Sequence, residues 1–189
     1  MRMVSVRKTL SQWLGRAIYA MRGWSFEPTP PDWALRQVVI GFPHRTWFDT
    51  VMAFAGFAII GQRGHVMVKR EAFVWPLSIL LRSIGAIPVD RAAASGVVEQ
   101  MAAEFARREV FQLALVPEGT RSGATRIRTG FWHIAKAAQV PIACWYLDNE
   151  NKRTRWVGRL LPSDDMAADL KLIRQLYADA GLQIAGLAE

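Results

Sequence analysis

Along the chain, short apolar runs alternate with longer stretches in which apolar residues recur every three or four positions. The runs "QVVIGF", "HVMV", "GAIPV", "FQLALV" and "PIACWYL" are four to seven residues long and rich in branched or aromatic side chains, which predicts buried strands. Between them, "ASGVVEQMAAEFARRE" and "FWHIAKAAQ" carry helical periodicity. "TRWVGRLL" predicts a late strand, and "DDMAADLKLIRQLYADAG" a closing helix with acids in its first turn and a glycine near its end. Strands separated by helical crossovers predict an α/β fold, a largely parallel sheet flanked by helices. Upstream, Leu10, Trp13, Leu14, Ala17, Ile18 and Met21 fall at helical spacing, so an N-terminal amphipathic helix precedes the proline cluster "FEPTPPD", which cannot continue it. The expected organisation is therefore a docking helix within residues 1–26 and one domain over 33–189.

Charge sharpens this picture. With 24 Lys and Arg against 16 Asp and Glu among 189 residues, the net charge of +8 calls for an anionic partner. The first 26 residues hold Arg2, Arg7, Lys8, Arg16 and Arg22 and, before Glu27, no acid. Basic residues beside an apolar stripe suit a helix lying in the headgroup plane, and the eight tryptophans point the same way, to an anionic membrane surface rather than nucleic acid. Packing of that helix on the domain is the competing reading. The longest apolar run, "VMAFAGFAII", has ten residues, too few to span a bilayer. Cys144, the single cysteine, sits in an apolar run and is expected to be a core thiol, with neither a disulfide nor a cysteine metal site.

Polar clusters follow three of the predicted strands: His44 and Asp49 after the first, Asp90 and Arg91 after "GAIPV", and "PEGTRS" (117–122) after "FQLALV". In open α/β sheets ligands collect at the carboxyl ends of strands, so the three should share one rim. Each has a structural alternative. Thr46 and Asp49 form a T-x-x-D capping pattern, Glu118 and Gly119 suit a turn, and Arg91 and Arg121 could be solvated charges. His65 and His133 lack partner spacing and are expected to be structural. Walker, dinucleotide, nucleophile-elbow and zinc-protease motifs are absent from the sequence.

Taken in order, "HRTWFD" (44–49), "GAIPVDR" (85–91), "VPEGTRS" (116–122) and "VPIACWY" (140–146) form the series H-x4-D, G-x-I-x-x-x-R, P-E-G-T-R-S and V-P-I. This series resembles the glycerophospholipid acyltransferase family typified by 1-acylglycerol-3-phosphate acyltransferases, over about residues 37–147. The resemblance implies a fatty acyl transfer from acyl-CoA or acyl carrier protein to a lysophospholipid hydroxyl, without metal or cofactor, by a protein peripheral to the cytoplasmic face of a membrane. It implies His44 as general base, Asp49 as its orienting carboxylate, and Arg91, Glu118, Gly119, Thr120 and Arg121 at the acceptor's glycerol phosphate. Departures fall at Pro43, where many members have asparagine, at Thr46 in place of serine, at "RIRTG", which offers Arg128 where many have lysine, and at "PIACWY". These bear on the acceptor, which the motifs leave open among lysophosphatidic acid, other lysophospholipids and a lyso-aminolipid. A non-catalytic lipid-binding member with the same fold is the remaining alternative.

Overall fold

The computed structural model describes residues 2–27, 30, 33–43, 46–90, 94–118, 127–182 and 184, with backbone alone for 2–9 and 94–95. In chain order they form α1 (Arg2–Met21), β1 (Ser25–Phe26), β2 (Arg36–Phe42), α2 (Trp47–Ile59), β3 (Gly64–Lys69), a 3₁₀ turn (Arg70–Ala72), α3 (Leu77–Ser83), β4 (Ala86–Val89), α4 (Ala94–Ala106), β5 (Phe111–Leu115), α5 (Gly130–Ala138), β6 (Ile142–Asp148), β7 (Arg153–Leu160) and α6 (Met166–Asp179). The strands make one seven-stranded sheet in the order β1-β7-β6-β2-β5-β3-β4, parallel except where β7 returns antiparallel on β6.

β2 lies at the centre because its residues must be buried on both faces. Val38, Val39 and Ile40 are consecutive and all fully enclosed, as a parallel strand between helical layers requires. Its register on β5 is reinforced by a buried amide pair, in which Gln37 Nε2 donates to Gln112 Oε1 at 2.9 Å, while Gln112 Nε2 donates to the carbonyls of Ala34 and Leu35. The β2–α2–β3 and β3–α3–β4 crossovers step across the sheet in one direction, and β4–α4–β5 and β5–α5–β6 step back. Right-handed crossovers therefore set α2 and α3 on one face and α4 and α5 on the other. The core divides accordingly: Val38 and Ile40 pack with Phe105, Ile134 and Tyr177 of α4, α5 and α6, whereas Val39 packs with Phe57 of α2 on the opposite face.

α1 lies antiparallel on α2. Gly15 allows the contact, since a Cβ there would stand 2.6 Å from the Ala55 carbonyl oxygen. Tyr19 Oη donates to the Met52 carbonyl at 3.0 Å, and the Arg22 guanidinium stacks 4.4 Å above the Phe48 ring. The helix stops at Met21, ahead of the prolines, where Gly23 takes a left-handed conformation. Ser25 and Phe26 then pair with Arg153 and Thr154 as β1, an edge strand that the sequence pattern does not predict. Gly15, Tyr19, Ser25 and Phe26 are thus packed on the body of the fold. The face of α1 that packs holds Gly15, Tyr19 and, from the predicted apolar stripe, Ile18; Leu10, Trp13, Leu14 and Met21 of that stripe stay exposed. α3 is a second element that the sequence pattern does not predict, and not one of its residues is buried.

Candidate functional site

The parallel ladder brings the motif-bearing strand ends to one rim. Ile40 of β2 is opposite Leu115 of β5, and Phe42 is opposite Tyr146 of β6, so Pro43 and Pro117 leave the sheet side by side, next to the last residues of β6. Val89 closes β4 opposite Lys69 on the same edge of the sheet. Asp90, Glu118 and the start of α2 follow from these ends. The expectation that three distant clusters share one rim is met for their described members, Asp49, Asp90 and Glu118. His44, Arg91, Gly119, Thr120 and Arg121 lie outside the described residues.

Asp49 is nearly fully enclosed at the third position of α2, and its Oδ2 accepts the backbone N–H of Thr46 at 2.7 Å. The T-x-x-D capping pattern is therefore realised, and the carboxylate satisfies a helix-start donor while its charge complements the amino end of the helix dipole. Held this way, it stands at the rim with a fixed orientation, five residues after His44 in sequence. Capping and an orienting role are compatible, because a carboxylate offers about four acceptor sites.

Two further features place the motifs. Gly85, which opens "GAIPVDR", has φ +88°, and a Cβ there would stand 2.5 Å from the Gly64 carbonyl oxygen. Glycine is thus required for β4 to approach β3, whatever the motif does chemically. Across the rim, the Arg128 backbone N–H donates to the Pro117 carbonyl at 2.9 Å, bringing the chain back beside Glu118. This sets exposed Arg128, which in the sequence is only a departure from the family pattern, beside Pro117, the first residue of P-E-G-T-R. Trp47, the first residue of α2, projects from the same rim with 68% of its surface exposed, and the sequence pattern assigns it no role. Its signal, an aromatic inside H-x4-D, is visible only once α2 is seen to begin there.

Elsewhere the polar groups read as structural. Burial works to raise the Asp148 pKa at the end of β6, but bonds from Asn151 and the Arg153 guanidinium outweigh it and hold the carboxyl below its ordinary value. This closes the β6–β7 hairpin on the candidate rim. His65 is buried at the far end of the sheet, where Arg108 Nη1 donates to its Nε2 at 3.1 Å. Cys144 is fully buried, and its thiol pKa is pushed up to about 12 by that burial. Both match their expected structural roles.

Comparison with known proteins agrees with this arrangement. No curated protein sequence matches the chain significantly. Among solved structures, the fold is similar to that of the 1-acyl-sn-glycerophosphate (LPA) acyltransferase PlsC from Thermotoga maritima, with a TM-score of 0.58 and 13% identity over 95% of this chain and 80% of that one. The sequence profile of the family described as Acyltransferase matches residues 30–147, which hold all four motifs, strands β2 to β5 and all but the last residue of β6, and the chain belongs to that family.

Proposed function

We propose that this chain transfers a fatty acyl group from an acyl-CoA or acyl carrier protein thioester to a hydroxyl of a lysophospholipid such as 1-acylglycerol-3-phosphate. The observation that carries this reading is the convergence, on one rim, of the strand ends that precede H-x4-D and P-E-G-T-R-S and of the end of β4, which lies inside G-x-I-x-x-x-R, with the Asp49 carboxylate fixed there. The family supports acyl transfer in general, and the similarity in fold to a 1-acyl-sn-glycerophosphate acyltransferase from Thermotoga maritima favours a glycerophosphate acceptor.

In this mechanism neutral His44 takes the proton of the acceptor hydroxyl as its oxygen attacks the thioester carbonyl. The imidazolium then returns that proton to the departing thiolate, so no acyl-enzyme forms and the histidine ends neutral. Asp49 orients the ring and stabilises its cationic form. Arg91 and Arg121 hold the acceptor phosphate through charge-assisted bonds, Gly119 and Thr120 let the backbone approach it, and Glu118 positions the arginines or accepts from an acceptor hydroxyl.

The exposed stripe of α1 supports a peripheral position on an anionic membrane surface, at the cytoplasmic face where acyl thioesters are available. Its packing face is satisfied by α2, so Leu10, Trp13, Leu14 and Met21 are left for lipid, beside Arg16 and Arg22. The antiparallel packing brings the Met21 end to the rim that carries Asp49, close to where acceptor chains would enter. Among the described residues no helix is long and apolar enough to cross a membrane.

Thiol release from acyl-CoA, measured against a panel of lysophosphatidic acid, other lysophospholipids and a lyso-aminolipid, tests the reaction and selects the acceptor. His44→Ala should lower turnover by about 10² to 10⁴ with the melting temperature unchanged. Normal turnover in the folded variant would refute the proposed base, and no thiol release with any acceptor would favour a non-catalytic lipid-binding role.

A further inference from the structure

The segment between β3 and β4 carries a second dense set of exposed apolar residues, apart from that of α1. Within eleven residues, Val74, Trp75, Leu77, Ile79, Leu80 and Ile84 are all exposed, Trp75 to 82%. Ile79 and Leu80 lie on the outward side of α3, where a helix covering a sheet would normally carry its polar residues, with Leu77 and Ile84 exposed on its flank. Only Ser78 and Leu81 of the helix are half-buried. A contiguous apolar patch of this kind marks a contact surface.

Its position is fixed. Arg63 Nη2 donates to the carbonyls of both Arg82 and Ser83 at 2.8 Å, tying the end of α3 to the chain entering β3, and the Arg82 guanidinium lies 5.6 Å from the Phe73 ring centroid. Since β3 runs parallel to β2, the segment starts at the rim carrying Asp49 and returns along the sheet face that also bears α1 and α2. Trp75 and Trp47 therefore leave from the same rim.

We infer that α3 and the turn before it form a second lipid-contacting element, seated on a phospholipid surface that carries anionic headgroups. Charge selects this occupant. Lys69 and Arg70 precede the apolar stretch and Arg82 lies in its last turn, against one carboxylate, Glu71, so cations flank the stripe at the level where headgroups would lie. Exposed tryptophan at the rim suits the same boundary, since indole favours the zone between headgroups and chains. α1 and α3 flank α2, and with both in lipid the rim between them would open towards the layer that supplies the acceptor. This inference rests on the membrane reading of α1 and extends it to a segment far away in sequence.

The test compares the full chain with Trp75→Ser/Leu80→Ser by co-sedimentation with vesicles of phosphatidylcholine alone and of phosphatidylcholine with phosphatidylglycerol. The double variant should bind the anionic vesicles roughly tenfold or more weakly while keeping the wild-type melting temperature and its activity on a short-chain soluble acceptor. Separately, Ile79→Cys carrying an environment-sensitive fluorophore should shift to shorter wavelength on those vesicles; buried Cys144, the only native thiol, will not compete for label. Unchanged binding by the double variant with no fluorophore shift, while the wild type binds, would overturn the role of α3 and leave that of α1 standing. No vesicle binding by the wild type would overturn both. A wild-type dimer without lipid that the double variant turns into a monomer would assign the patch to a second copy of the chain and overturn the lipid proposal.

Discussion

The two faces of the sheet solve the same problem in opposite ways. On one face, α4, α5 and α6 direct their apolar residues inward, and Met101, Phe105, Ile134, Ile173 and Tyr177 are sealed against β2, β5 and β6. On the other, α2 is enclosed, with Met52 and Phe57 buried, but the helices beside it keep large apolar side chains on the outside. Both faces are apolar in sequence, so hydrophobicity alone does not tell a core from a contact surface. What distinguishes them is whether the periodic stripe and the packing stripe coincide. In α4 they do. In α1 they overlap only in part: Ile18 packs beside Gly15 and Tyr19, while Leu10, Trp13, Leu14 and Met21 stay outside.

Truncation should separate the faces most widely. Phe105→Ala removes a ring enclosed on the closed face and packed edge-on against Phe111 at 4.6 Å, at a cost of about 3–5 kcal/mol in denaturant unfolding. Leu14→Ser on the open face should change stability by no more than about 0.5 kcal/mol and instead weaken binding to anionic vesicles. Equal destabilisation by both would erase the distinction.

Acid should act through the closed face. The His65 ring lies 4.7 Å from that of Phe111, tilted against it, and burial, followed by the charges of Arg108 and Arg63, lowers its pKa from 6.5 to about 4. Because arginine can only donate, the bond from Arg108 requires a proton-free Nε2, which agrees with a neutral ring. The folded state thus resists protonation while the unfolded chain accepts a proton near 6.5. This group's contribution, up to about 3 kcal/mol, is present above pH 6.5 and lost as pH falls through 4. Unfolding free energies of wild type and His65→Gln, followed over that window, should show a flatter acid limb in the variant.

A smaller effect is expected where α1 meets α2. Gly15→Val forces side-chain atoms against the Ala55 backbone and should cost about 1–3 kcal/mol, with α1 becoming susceptible to limited proteolysis before the sheet does. If α1 were held by its apolar stripe rather than by this close approach, the substitution would be nearly silent.

Much of the fold is legible in the sequence because parallel strands buried on both faces announce themselves: Val38, Val39 and Ile40, or Ile142 to Trp145, have no polar interruption. β1 is not, since two residues carry no period and Ser25 and Phe26 are strand only because β7 is beside them. α3 escapes for a different reason. "FVWPLSILLRSI" is apolar nearly throughout, so its face cannot be read without knowing what it covers. At the site, spacing locates the strand ends correctly, and the capping of Thr46 by Asp49 is visible as one of two readings, both compatible with the structure. The motif Gly85 looks like part of a chemical signature, but its backbone contact with Gly64 is a steric demand that a one-dimensional pattern does not display.

The ends of the sheet bear on how the chain behaves when crowded. Its boundary strands are β1, two residues long, and β4, four residues long with Pro88 inside it, whose nitrogen cannot donate. Short, donor-poor margins are poor templates for another molecule's backbone. A protein gathered onto a two-dimensional surface meets its own copies at high local concentration, and blunt margins of this kind favour dispersed monomers over sheet-to-sheet polymerisation there.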